Sequence, residues 1–530
     1  GVQTCALPIS AIAGQKRVQI RTPRLEGSIL LTGGRLDDLR LTNYRETVDR
    51  GSPAITLLSP QGTQHPYFAE SGWVANASSV AVPNADTVWA ADRETLAPGQ
   101  PVTLSWDNGQ GLKFERKLSV DDEYMFEVAQ RVTNSGGEAV ALFPYALASR
   151  TGTPKTSGFY ILHEGPLGVF NGTLSEQSYD DLKKQKKIEK PTTGGWIGIT
   201  DKYWLVAVVP DQKQQVTVRY ASEPANGVDR YQIDIFGGAI NVPAGGSAES
   251  VSRLFAGPKE VRLLNDYTDK GGVARFDLAV DWGWFWFFTK PIFAALDFFY
   301  RLLGNFGLAI LLLTVIIKGL FFPLANKSYR AMNKMKLLQP EMEKLRERFG
   351  EDKQRLSQEM MALYKREGAN PLAGCLPVAI QIPVFFALYK VIFITIEMRH
   401  APFFGWIRDL SDHDPTSFSN MFGLAPWSPV ESLVIGGTLG AWPLIMGFTM
   451  FLQQKMNPQP PDPVQAKVMM AMPVIFTFML ANFPSGLVIY WAWNNALSVL
   501  QQWVILKKMG HPPAPPPAKP AAKPPAKPKS

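Results

Sequence analysis

Residues 307–325 read GLAILLLTVIIKGLFFPLA, an apolar run broken by one cation, Lys318. About 19 residues at a rise of about 1.5 Å each cover roughly the hydrocarbon core of a bilayer. A lysine at the centre of such a helix costs about 2.5–3.5 kcal/mol on insertion scales. Two placements relieve that cost. The ammonium faces a water-filled or protein-lined groove, or it snorkels to the headgroups about seven residues away. Either placement makes the chain a membrane protein, and the choice decides what Lys318 can do.

The distribution of apolar residues supports a membrane reading better than their total does. Of 530 residues 46% are hydrophobic, yet long apolar runs begin only after Leu278. The formal net charge of +8 would suit a nucleic-acid binder. Here, however, the basic residues stand beside apolar segments, as the positive-inside rule expects. Cys5 and Cys375 lie far apart in unlike segments, which argues against a disulfide framework and a cysteine metal site. The opening residues 1–16 are mildly apolar but lack a basic region and a cleavage site, and suggest an atypical or truncated N-terminus.

Residues 17–265 alternate in the period of β-strands. Stretches 18–21, 28–32, 102–106, 112–120, 124–133, 203–209, 216–220 and 231–236 carry β-branched and aromatic residues between glycine-rich turns. So many strands predict a large two-sheet sandwich. Residues 178–190, SYDDLKKQKKIEK, form a charged exception that reads as a solvated helix or loop, or as a docking patch. His65 and His163 have no metal-ligand spacing.

The pattern then changes. Residues 276–303 hold a dense aromatic cluster interrupted by Asp281, Lys290, Asp297 and Arg301, which predicts an amphipathic helix in the membrane interface. After the first span at 307–325, residues 326–370 show helical spacing on both sides of Gly350 and predict an antiparallel hairpin. Its 11 basic residues outnumber 7 acidic ones, placing it in the cytoplasm. Met332, Met335, Met342 and Met360 lie on its apolar stripes, where they either glue the helices or offer an adaptable surface. Further spans are expected at 374–396, 432–452, 468–483 and 487–506. An acidic outer loop at 397–431, with Trp406 and Trp427 as interfacial anchors, and an inner loop at 453–467 join them. Residues 507–530 form a basic Pro/Ala/Lys tail expected to be disordered in the cytoplasm. The alternation of sides places the β domain outside, which leads us to expect a membrane anchor before residue 1.

The strings GNFG, TVIIKGLFFPL, KMKLLQPEMEKLRERFG, DKQRLSQEMMALYK, NPLAGCLPVAIQIPVFFALY and FPSGLVIYW resemble the bacterial YidC membrane-protein insertases. The resemblance is dense over 276–508 and weak in the β region, where Gly194-Gly195-Trp196 is the best landmark. It implies an all-β periplasmic supersandwich of the galactose-mutarotase type, a five-span α-helical core with a cytoplasmic hairpin, and a preceding membrane helix. It further implies that Lys318 sits in a hydrated groove where many members carry arginine, with Thr314 on the same helix face. Tyr490 and Trp491 match positions where the family touches substrate. Gln381, Asn494 and Asn495 are deep enough in their spans to line the groove as well. Lysine keeps the charge but lacks arginine's planar fork, so a bidentate grip on a carboxylate is not expected.

The implied activity is insertion of nascent transmembrane segments from the cytoplasm into the inner membrane, with no enzyme chemistry. No GxxxxGK[ST] string occurs, so no nucleotide is expected, and no metal or other cofactor either. The expected partners are nascent membrane proteins and the lipid bilayer, joined by a Sec translocon and by the ribosome, the latter through the basic hairpin and tail. Two rivals fit less well. A secondary transporter would show internal repeats and more than one intramembrane charge, whereas Lys318 is the one that stands out. A membrane-anchored periplasmic carbohydrate protein would need an acid and a base in the β domain. His163 and Glu164 are available but nothing singles them out.

Overall fold

A computed structural model describes residues 14–156, 162–225, 227–368, 376–425, 439–457 and 463–509. The expectations for Cys5, Cys375, Trp427, residues 432–438 and the tail from 510 fall outside them. The chain divides into two units, Gly1–Phe293 with Ala387–Ala401, and Ala294–Phe386 with Pro402–Ser530.

The first unit is built on two sheets of eleven and nine strands, antiparallel except where Arg17–Arg21 meets Thr95–Leu96. Alternation does what the sequence pattern predicts. In Leu112–Val120, residues Leu112, Phe114, Leu118 and Val120 point inward and are buried. The same period also forces Arg116 inside. Burial lowers its basicity, and its guanidinium donates to the carbonyls of Gly34 and Ser71 while lying over the Trp89 ring.

The landmark glycines have a steric reason. Gly194 and Gly195 both take positive φ, and a Cβ on Gly195 would stand 1.9 Å from the carbonyl oxygen of Val169. This tight turn delivers Trp196 into the core, fully buried against Phe276 at 5.2 Å between ring centroids. The charged stretch 178–190 splits in two. Ser178 caps a short helix, α1 (Tyr179–Gln185), and the chain continues as the edge strand Lys187–Thr193. Lysines and Pro191 on this outer strand suit an edge that must not recruit further strands.

The β unit extends beyond residue 265. Helix α2 (Val261–Asp269) buries Val261, Leu263 and Leu264, and a 3-10 turn at Phe276–Ala279 puts Phe276 among Trp196, Phe255 and Tyr267. The expected interfacial helix is therefore shorter. It is α3 (Trp286–Leu303), because Phe276 and Trp282 are core residues of the β unit. Thr289, Ile292, Phe293 and Leu296 form its buried stripe, while Trp286, Phe287, Phe298 and Leu302 are exposed.

The helical segments follow as α4 (Phe306–Leu320), α5 (Phe322–Leu337), α6 (Gln339–Phe349), α7 (Lys353–Arg366), α8 (Leu376–Ile394), α9 (Ala441–Met456), α10 (Pro463–Met479) and α11 (Ser485–Met509). Asn305 caps α4 by accepting from the Leu308 amide at 3.0 Å.

The span expected at 307–325 is not one straight helix. It bends by 68° between α4 and α5. Pro323, in the first turn of α5, lacks an amide proton and would clash with the carbonyl of Gly319 in a continuous helix. Pro340 causes a second break at Leu338, so the expected hairpin consists of three helices: α6 and α7 pack on each other through Met342, Leu363 and Tyr364, and Met335 of α5 joins the same cluster. The expected third span begins late, at Ala441, after an extended Gly440. The fourth lies about five residues earlier in the chain than the apolar pattern placed it. Among the described residues no single helix is long and apolar enough to cross a membrane, though α4 with α5 passes as a bent pair.

Candidate functional site

In the helical unit the usual partition of side chains is reversed. Phe448, Val468, Ile475, Phe478, Leu500 and Trp503 face outward, while Thr314, Asn494, Asn495, Ser498 and Gln502 are buried. A single exposed apolar residue means little, but rows of them over buried amides and hydroxyls fit a hydrocarbon surround.

Two of these buried polar residues, Thr314 and Asn494, line one cavity together with Ile317, Lys318, Phe321, Leu324, Ala325, Tyr329, Gln381, Val384 and Tyr490. Thr314 and Lys318 are four residues apart on α4 and share a face. On α11, Tyr490, Asn494 and Ser498 repeat at the same spacing and form the facing stripe.

The polar atoms are organised. Lys318 Nζ donates to Ser498 Oγ at 2.7 Å, and Ser498 Oγ donates to the Asn494 carbonyl at 2.8 Å. Gln381 Nε2 donates to Tyr490 OH at 2.6 Å. Thr314 Oγ1 donates to the Ile310 carbonyl at 2.7 Å, its oxygen keeping acceptor capacity. Among the described residues the buried Asn494 Oδ1 has no hydrogen-bond partner. Among the described residues no carboxylate pairs with Lys318. The cavity thus offers a cation, amide and hydroxyl groups and aromatic walls, and it can replace water around the polar atoms of a guest.

Of the five residues expected in the groove, Lys318, Thr314, Gln381 and Asn494 line this cavity, and so does Tyr490, one of the two expected to touch substrate. Asn495 and Trp491 do not. One residue further along a helix turns the side chain by about 100°. Trp491 instead packs beside Met446, Leu480, Val488 and Ala492, with its ring 4.5 Å from that of Phe385. Asn495 is buried, and its Nδ2 has no hydrogen-bond partner among the described residues. Depth in a span predicted burial, but not the face.

The hairpin methionines serve packing. Met342 is buried with Leu363 and Tyr364, and Met335 and Met360 pack against that cluster. Tyr364 OH donates to Met342 Sδ at 3.5 Å. Met332 lies in another cluster with Tyr329 and Ile505. Met361, which sequence reasoning passed over, is the methionine of α7 left 60% exposed.

Two more residues were missed. Ser498 gives no signal alone, though its spacing from Tyr490 and Asn494 would have found it. Lys390, inside the expected second span, is a second charge in an apolar helix. It pairs with Asp281 at 3.0 Å, and both belong to the β unit. In the loop at 397–425, Asp414 is almost fully buried. It accepts from Trp406 Nε1 and from the Trp442 amide, and so caps α9 from 28 residues away.

Comparison with known proteins places these features in a family. The model described as YidC periplasmic domain matches residues 17–295, and that described as 60Kd inner membrane protein matches 298–512. Membrane protein insertase YidC of Methylorubrum extorquens (strain PA1) is 55% identical over 94% of this chain and 82% of its own length. That of Mesorhizobium japonicum is 56% identical over 94% of this chain and 83% of its own. A crystal structure of an active YidC insertase with its first transmembrane domain resolved aligns with 93% of this chain and 95% of its own, at 18% identity and a TM-score of 0.37.

Proposed function

This chain belongs to the YidC family of membrane protein insertases, inner-membrane proteins with a periplasmic domain, and from that premise we propose that the Lys318 cavity receives the polar flank of an incoming segment. The observation that carries the reading is a polar, cation-bearing cavity within helices whose outer surface is apolar. Polar atoms crossing bare hydrocarbon cost several kcal/mol each. Inside the cavity, Lys318, Gln381, Tyr490 and Asn494 stand in for water. The apolar part of the client then passes into lipid, driven by about 0.8 kcal/mol for each CH₂ removed from water. No nucleotide or metal takes part.

The topology that fits is multi-pass. Helices α4, α8, α9, α10 and α11 cross the membrane, the β unit lies in the periplasm, and the hairpin lies in the cytoplasm. Helices of 15 to 17 residues reach about 22–26 Å, so α4, α9 and α10 fall short of a core roughly 30 Å thick. Bilayer thinning or flanking segments would make up that mismatch. The exposed aromatic edge of α3 lies at the headgroup level. The exposed apolar residues of the hairpin, Met361 and Leu337 among them, are the first contact for nascent segments. Ribosome binding rests on the basic surface of the hairpin, and cooperation with a Sec translocon rests on the shared client class.

The test is photocrosslinking from Thr314 and Tyr490 to a stalled nascent membrane protein, together with insertion assays on Lys318→Ala and Lys318→Arg. Adducts from both sites, impaired insertion of clients with acidic translocated tails by the alanine variant, and retention by arginine are expected. Wild-type insertion of those clients by Lys318→Ala would refute the role of the charge.

A further inference from the structure

We propose that Ser498 is a positioning residue that holds the Lys318 ammonium level with the cavity and keeps it from snorkelling. The inference rests on the cavity reading above. The geometry has two parts.

The first is depth. Helices α4 and α11 pack in the same unit, and Lys318 and Ser498 each lie roughly a dozen residues, about 18–20 Å, from the start of their helices. A lysine stem is long enough to swing along the helix axis toward Leu320, where α4 ends, and so toward the headgroups beyond. Instead Nζ is drawn sideways to α11, at 2.7 Å from Ser498 Oγ.

The second is proton direction. Ser498 Oγ has its hydrogen committed to the Asn494 carbonyl, at 2.8 Å. An ammonium can only donate. The back-bonded hydroxyl therefore presents lone pairs alone toward Lys318 and cannot turn a competing hydrogen at it. Ser498 is 1% exposed, so bulk water does not substitute for it. One ammonium hydrogen is fixed on Ser498, and the other two remain for the guest. Asn494, whose carbonyl takes the Ser498 hydrogen, is itself one of the cavity-lining residues. A cation beside amide and hydroxyl groups suits a guest of both polarities, such as the peptide unit of an unwound client flank.

Hydrogen bonds between helices in membranes are worth about threefold, and at most about twentyfold, in equilibrium terms. Insertion of a single-span client with an acidic outer tail is measured in proteoliposomes of the full chain. The variants are Ser498→Ala, Ser498→Thr, Lys318→Ala and the double alanine. We expect Ser498→Ala to slow insertion by about three- to twentyfold. Ser498→Thr keeps the back-bonded hydroxyl and retains the rate. In the Lys318→Ala background, Ser498→Ala has no further effect. Thermal melting in detergent checks that each variant is folded. Wild-type rates for Ser498→Ala, or an equal loss on both backgrounds, overturn the positioning role. If Lys318→Ala itself inserts like wild type, the cavity reading fails. If it is impaired while Ser498→Ala is not, only this inference fails.

Discussion

Replacing Lys390 by methionine keeps its volume and apolar stem and removes its charge. The pair with Asp281 spans 3.0 Å, and the two side chains are 12% and 23% exposed. At an effective dielectric near 20 the gross attraction is about 5–6 kcal/mol. Desolvation offsets much of it, but removing one partner leaves the other buried and uncompensated. Asp281 still accepts from the amides of His163 at 3.0 Å and Gly283 at 2.9 Å, which limits the loss. We expect Lys390→Met to destabilise the β unit by about 2–4 kcal/mol. Asp281→Asn, added to Lys390→Met, removes the uncompensated charge but keeps an oxygen for only one of the two amides, so it recovers part of the loss rather than all of it. Thermal denaturation of the purified chain in detergent, followed by tryptophan fluorescence, reads both. The reasoning is refuted if Lys390→Met melts with wild type, or if the double variant is no better than the single.

Two further outcomes follow. Lys259 is fully enclosed, donates to Thr200 Oγ1 at 2.8 Å, and is lowered by burial to about 8. Between about pH 8 and 10.4 the unfolded chain binds the extra proton, so stability rises with pH in that window. Lys259→Met should therefore stabilise the protein at pH 7, by on the order of 3 kcal/mol, and lose that advantage as pH passes about 10; a difference in melting temperature that stays constant over the range would contradict this. Met342→Ala should loosen the α6–α7 hairpin by about 2–4 kcal/mol and expose it to limited proteolysis. Met361→Ser should leave the hairpin resistant while lowering client crosslinking, and the reverse pattern would return client capture to the buried methionines.

Legibility in the sequence tracked the range of the interaction. Strand Leu112–Val120 and the stripe of α7 were readable because their periods are local. The two proline breaks were readable in principle, but the apolar content of 307–325 outweighed Pro323 in the expectation of one straight span. Lys390 was hidden because its partner, Asp281, lies more than 100 residues away and beyond the hairpin. Arg116 was hidden because a charged residue at an inward strand position looks like a surface one until its carbonyl partners are in place. The cavity was readable in part. Spacing of four joined Thr314 to Lys318, while depth alone admitted Asn495, and resemblance alone Trp491, beside the residues that do line it.

The β unit is discontinuous in the chain, taking Ala387–Ala401 from beyond the hairpin. Glu397 accepts from the Val261 amide at the start of α2, and Arg399 donates to the carbonyls of Arg45 and Glu46. These contacts, and that of Lys390 with Asp281, cannot form until the chain has been synthesised well past α7. An insertase must itself be inserted, and here the order of synthesis matters. The sheets can assemble early, but their last stitches come from the far end of α8. Completion of the periplasmic module thus waits on the far end of α8, so the part of the chain made first is finished by residues made more than 100 positions later.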